Sequence, residues 1–489
     1  PVRRVRRGHR RRVPRPLTIG LWVLYGLMAS PALAAPVPQI DAPGLKPRFD
    51  AAAHDYTVPC ADPVPVTVRP GPQATARIGA GEWRAGTVRR SVELEPGQAV
   101  RVEVRGAGGP AGADAEAYYL RCLPEDFPEY EFESFGEARR GLYVAAPITL
   151  AGPNPNYTFV FDGRGVPVWW MRTDPPSIDS KVLSDGTVAW TRWHGGGYGT
   201  EPGVTYEIRT LEGELVRRLG AVGPGTPTDH HELIETAAGN YILLSYRPRE
   251  GVDLRPYIDA ADATVLDSVI QEVTPDGELV WEWSSADHIA IAETGRWLPK
   301  LQEPYDLTHV NAVEETPDGD LLVSLRHTDA VYRIDRATGR VEWKLGGTPT
   351  PRSLRIVGDL FPGTLGAQHD VRLAAGDEVT VFDNQTETSS QPRAVRYRIL
   401  DGAALLVDQV TDFSLQSSPC CGSARQHTDG SWLISWGGTN LVTEVGPDKE
   451  RTFALRFAEG ETSYRAVPAD VVPVERYRAA MSARVPDAR

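Results

Sequence analysis

Three histidines stand at matched places in this chain: Asp229-His230-His231-Glu232, Thr308-His309-Val310-Asn311 and Gln368-His369-Asp370. Each opens a run of alternating apolar residues that ends in a turn glycine, at offsets of 8 residues (His231 to Gly239), 10 (His309 to Gly319) and 7 (His369 to Gly376). Near-constant offsets from a turn mark equivalent positions in repeated units, so residues far apart in sequence are expected to meet in space. An imidazole is both nucleophile and proton carrier near neutral pH. Arg326 ends the strand that follows the His309 strand, and its planar fork of five donors suits an oxyanion such as sulfate or phosphate. A fixed cation there disfavours a tris-histidine metal centre. The expectation is a site of His369, His309, Arg326 and His231 with no metal and no cofactor.

The elements that must position these residues are β-hairpins. Residues 306–347 form two in series, broken by Pro317-Asp318-Gly319 and Ala337-Thr338-Gly339. Similar pairs recur from about residue 140. We pair residues 157–170 with 180–190, 205–219 with 233–246, 268–283 with 306–325, 331–345 with 371–382, 395–410 with 425–436, and 441–457 with the C-terminal residues. Turn glycines 186, 239, 319, 376 and 430 are spaced by 53, 80, 57 and 54 residues, and the long interval holds an insertion, 286–303, expected to be partly helical. About six four-stranded units in sequence predict an all-β fold, a six-bladed β-propeller over 140–475. The innermost strand of each blade faces the axis, so the three histidines belong at the mouth of the channel.

Composition agrees with a turn-rich β protein: 47 glycines, 41 prolines and 3 methionines in 489 residues. Residues 1–34 carry eight arginines, an apolar run and Ala32-Leu33-Ala34, the layout of a signal peptide, with an uncleaved N-terminal anchor as the alternative. Its removal takes the formal charge from −13 to −21. Such acidity argues against a nucleic-acid partner, and the expected location is periplasmic or secreted, with no stable membrane insertion after cleavage. Residues 36–126 read as short strands at the spacing of a small β-sandwich, an accessory domain, with Cys60 and Cys122 placed to form a disulfide. Phe49-Asp50 through Tyr56-Thr57-Val58 resembles the opening of cadherin-like modules. Cys420 and Cys421 are adjacent, which leaves a vicinal disulfide or a rigid turn open.

Other histidines read as non-catalytic. His327 is expected to point away from Arg326 on an extended chain, and His230 and His231 cannot both face the channel if extended. His54, His288 and His427 are expected to be structural. His194 and glycines 195–197 and 199 read as a rim loop rather than a phosphate cradle. Trp193, Tyr198, Tyr305 and Trp436 are candidates to stack on an aromatic ligand or to fill blade cores.

The ordered series His231-Glu232, Thr308-His309-Val310-Asn311, Ser324-Leu325-Arg326-His327, Tyr332-Arg333-Ile334-Asp335, Trp343 to Gly347, Gln368-His369-Asp370, Asp383-Asn384 and Gly422-Ser423-Ala424-Arg425 resembles the bacterial arylsulfotransferase family over residues 140–470. That resemblance implies an extracytoplasmic propeller moving a sulfuryl group from a phenolic sulfate donor to a phenol acceptor without a nucleotide sulfate. It implies ping-pong transfer through a sulfohistidine at His369, with His231 and His309 beside it and Arg326 on the transition state. The family's active-site disulfide does not map onto Cys420 and Cys421, and a homodimer is left open. The rival readings are a propeller hydrolase or lyase on a sulfated or acidic substrate, metal-dependent or not, and a non-catalytic secreted binding protein.

Overall fold

The computed structural model describes residues 37–483 apart from 61–62, 107–114, 137–138, 140, 150–156, 193–198, 201–202 and 361–363. The signal segment, His194, Trp193 and Tyr198 lie outside the described residues.

The N-terminal strands alternate apolar and polar residues, as Val64–Arg69 shows with valines inward and polar residues out. They form a three-stranded sheet (Gln39–Asp41, Val64–Arg69, Val88–Val92) and a five-stranded one built on Asp55–Pro59, Glu116–Leu123, Ala99–Gly106, Ala74–Ile78 and Arg84–Ala85. A core of valines with Ile40, Ile78, Tyr56, Tyr118 and Leu120 lies between them. Cys60 and Cys122 are joined as a disulfide across 62 residues.

From Leu142 onward inner strands such as Leu142–Thr149, Leu321–Leu325 and Glu378–Asp383 are buried nearly throughout, because both of their faces are covered by neighbouring sheets. Among the described residues there are six such antiparallel sheets, each with four core strands. Their innermost strands are Glu461–Pro468, Ser177–Val182, Thr228–Glu235, Val310–Glu315, His369–Leu373 and Ser423–Gln426, in order of sheets one to six. Each innermost strand packs against the next, and Ser423–Gln426 returns to Glu461–Pro468, so the ring closes. This is a β-propeller. Sheet one is completed by the chain's late strand Glu461–Pro468 pairing with Leu142–Thr149.

The hairpin pairing read from sequence is one hairpin out of step. Residues 306–347 lie mostly within a single sheet, Val310–Glu315 to Val341–Gly346, and the strand 371–382 belongs with 393–411, not with 331–345. Turn glycines alone set hairpins but not where one blade stops, and only the ring contacts decide that. Two further elements have weak sequence signals. Tyr130–Ser134 adds an outer strand to sheet six, and helix Val474–Ala483 packs on sheet one. The insertion is helical as expected, in Ser285–Asp287 and Ile291–Lys300.

The axis of the ring is filled by charge. Arg465 of sheet one donates to Asp179 at 2.6 Å and Glu232 at 2.8 Å, and to the Asn311 carbonyl at 2.9 Å. Lys181 reaches Glu232 at 2.6 Å and Asp179 at 2.8 Å, Arg372 reaches Glu232 at 2.5 Å and Asp370 at 3.0 Å, and Arg425 reaches Asp370 at 2.7 Å. All six innermost strands contribute. Removing one partner of a buried network strands the others, so Glu232→Ala is expected to lower unfolding stability by roughly 3–5 kcal/mol, whereas Arg69→Ala, at an exposed pair with Asp41, costs under about 1 kcal/mol. Denaturant titration of the two variants checks this.

Candidate functional site

At one end of the plugged axis the innermost strands of sheets two to five each carry a bulge. The ladder registers break between Ile178 and Lys181, Thr228 and Leu233, Val310 and Ala312, and His369 and Arg372. His309, Asp370 and Asp179 adopt left-handed φ values of 52°, 56° and 52°. Residues without glycine's freedom are held there only where surrounding contacts over-determine them, and bulges re-aim side chains. Here the bulges turn the histidines inward.

His231 and His309 lie with ring centroids 5.0 Å apart. Asp229 receives the Nδ1 side of His231 at 2.9 Å and its backbone N–H at 2.7 Å. Asp306 does the same for His309, contacting Nδ1 and accepting its backbone N–H at 3.0 Å. Gly199 roofs the first pair: a Cβ there would stand 2.5 Å from Asp229 Oδ2 and 2.6 Å from His231 Cε1.

Burial pushes His231 down to about 3 and Asp229 up to about 8. Low polarity opposes charge on both partners, so the pair is neutral as a whole, with one proton between carboxylate and Nδ1.

His369 is held differently. Its Nδ1–H points to Asn384 Oδ1 at 2.8 Å and the Ala367 carbonyl at 3.1 Å, and its Nε2 accepts the Cys421 N–H at 3.2 Å. Burial, with the nearby Arg326 cation, pushes its pKa well below the ordinary histidine value. Arg326 donates to the Pro419 carbonyl at 3.0 Å and lies over the Trp297 ring at 4.6 Å. The turn 418–421 thus touches both His369 and Arg326. Its two cysteines are free thiols.

The structure therefore brings His231 and His309 into contact and sets His369 and Arg326 on one turn; the fields of Arg326, His231 and His309 all bear on His369.

Two expectations are corrected. His327 does not point away: Arg326–Thr328 is a 3-10 turn rather than extended chain, which places the His327 ring 4.7 Å from His309 with Nδ1 at 2.7 Å from the Asp306 carbonyl. His230 is also inside, its ring 4.5 Å from His231, because the bulge breaks strict alternation.

Trp436 fills a blade core, bonded to Thr443 and packed on Phe382, and Tyr305 sits in a short parallel strand. Trp297 was missed; its place in the helical insertion was the available signal. His288 stacks on Trp283, His427 lies near Tyr143, and His54 bonds the Ala117 carbonyl, all outside the cluster.

Asp306, His309 and His327 offer ligand atoms within 4.8 Å of one another, a set that fits a divalent transition metal in donor type.

Imidazoles and an arginine thus gather at one end of the ion-filled axis of a β-propeller. Residues 134–469 match the family model Arylsulfotransferase (ASST). The match spans the greater part of the chain, which belongs to that family. Membership supports aryl sulfotransferase activity in general terms. None of the curated proteins compared with the chain matches it.

Among solved structures, a protein of unknown function from Bacteroides caccae is similar at 12% identity and TM-score 0.41, covering 68% of this chain and 99% of that one. A virginiamycin B lyase from Staphylococcus aureus is similar at 10% identity and TM-score 0.32, covering 67% and 99%. Hydrazine synthase from Kuenenia stuttgartiensis is similar at 13% and 0.35, covering 60% and 72%.

Because His327 is held near 3 by burial in the fold but is free to protonate near 6.5 when unfolded, folding stability is fully present above pH 6.5 and is lost as pH falls from there toward 3. The slope from one such group approaches about 1.4 kcal/mol per pH unit. Urea midpoints of the native protein and of His327→Gln between pH 7 and 4.5 should show a shallower decline in the variant.

Proposed function

We propose that the protein transfers a sulfuryl group from a phenolic sulfate ester to a phenol, by a ping-pong route through sulfated His369. The observation that carries this reading is the orientation of His369. With Nδ1–H committed to Asn384 and Ala367, Nε2 bears the lone pair. That nitrogen gives up the Cys421 N–H hydrogen bond and attacks sulfur, the N–S bond forms, and the aryl O–S bond breaks with its electron pair on the phenolate oxygen. The acceptor phenol then attacks the same sulfur and the pair returns to Nε2.

Arg326, leaving the Pro419 carbonyl, binds the sulfuryl oxygens as charge builds on them. His231 and His309, backed by Asp229 and Asp306, carry protons to the departing phenolate and from the arriving phenol. Trp297, buried beneath Arg326, supports the guanidinium on its ring. We place the enzyme outside the cytoplasm on the layout of residues 1–34; among the described residues no helix is long and apolar enough to cross a membrane.

The cluster of Asp306, His309 and His327 favours one alternative, a metal-dependent hydrolase or lyase on a sulfated or acidic substrate. Incubation with 4-nitrophenyl sulfate, with and without a phenol and a chelator, separates the two. Transfer to the phenol that survives chelation, with a mass gain on His369 that is absent from His369→Asn, is the expected result. Loss of activity on chelation would favour the alternative. Arg326→Ala should lower kcat about 100- to 1,000-fold, the usual loss for a removed oxyanion donor.

A further inference from the structure

The three central histidines are not backed alike. His231 and His309 each have a carboxylate behind Nδ1, from Asp229 and Asp306. His369 has a neutral amide, from Asn384. That amide is itself anchored: its Nδ2 donates to Ser418 Oγ at 2.8 Å and to the Cys421 carbonyl at 3.0 Å, so Oδ1 must face the imidazole. Asn384 is buried, and Cys421, whose carbonyl it grips, also presents its N–H to Nε2.

We propose that Asn384 is a positioning residue that sets His369 as the nucleophile, by fixing its Nδ1–H tautomer without lending it charge, and so keeps the sulfated histidine reactive. This rests on the sulfuryl-transfer reading above.

The chemistry follows from the charge on the intermediate. When Nε2 takes the sulfuryl group and Nδ1 keeps its proton, the ring becomes cationic. A carboxylate behind it would stabilise that cation and slow N–S cleavage; a neutral amide orients the ring and leaves the bond labile. The same carboxylate would raise the proton affinity of free His369 and fill Nε2 with a proton in place of its lone pair. Beside Asn384, the groups that bear most on the ring are Arg326 and His309 from sheet four, His231 from sheet three and the Cys421 N–H from the turn before sheet six, while the neighbouring Asp370 is tied to Arg372 and Arg425 in the axis. No carboxylate stands among the groups that bear most on the ring.

Two measurements test the assignment. In native protein labelled with 15N at histidine, the His369 signals, assigned by their loss in His369→Asn, should be pyrrole-type at Nδ1 and pyridine-type at Nε2 at neutral pH. The opposite tautomer would overturn the proposal, and the assignment needs only that His369→Asn keep the native signals of the other histidines. In Asn384→Asp, the acid limb of kcat/KM for 4-nitrophenyl sulfate should move up by about one to three pH units, the usual effect of an adjacent opposite charge. The sulfated enzyme should also turn over at least tenfold more slowly with phenol. An acid limb and turnover like those of the native protein, in a variant with native circular dichroism, would sink the role of Asn384. If native protein releases no nitrophenolate and gains no mass on His369, the transfer reading fails instead, while the tautomer measurement still stands on its own.

Discussion

The structure depends on the buried ion network that fills the propeller axis. Asp179, Glu232 and Asp370 are shared among Lys181, Arg372, Arg425 and Arg465, and no pair is confined to one sheet in its consequences. Hydrophobic packing between sheets is non-directional and tolerates sliding. The ion network does not, because each guanidinium must meet carboxylates from different strands at hydrogen-bond distance. Register between sheets is therefore specified at the axis. The network also stops the channel, so the histidine end is a cup with a floor, and the low polarity of that cup holds imidazoles neutral.

Floor and cup are written in adjacent residues. His231 precedes Glu232, His369 precedes Asp370, and Tyr464 precedes Arg465, whose neighbour Tyr464 bonds the His231 carbonyl at 3.2 Å. In each pair the second residue belongs to the ion network and the first to the cup. Bulges and left-handed residues at these steps let neighbours serve the two layers, which a regular strand, with side chains on opposite faces, would not allow.

Much of this was legible beforehand. Turn glycines and alternating strands gave the propeller, and constant offsets gathered His231, His309 and His369. The cysteines of the N-terminal unit paired as read, and the insertion was helical. What failed has a common cause. His327 was set aside, and His230 was left open on the ground that it and His231 could not share one face, by reasoning from extended chain; the chain is turned into 3-10 at the first and bulged at the second. Blade boundaries were misplaced because a hairpin signal is local and the ring contact is not. Trp436 could not be told from a rim aromatic, since periodicity does not say which face of a sheet meets its neighbour. The acidic partners Asp229 and Asp306 were quoted in motifs without a role, as their value lies in Nδ1 contacts that spacing alone does not disclose.

The closure of sheet one bears on how the protein comes into being. Its innermost strand, Glu461–Pro468, arrives more than 300 residues after the strand it pairs with, and it brings Arg465 and Tyr464. Until that strand docks, the acids of the axis lack their central cation and the cup lacks one wall. Synthesis thus completes the wall of the histidine cluster only once Glu461–Pro468 is made, and a chain cut before it carries the histidines without that enclosure.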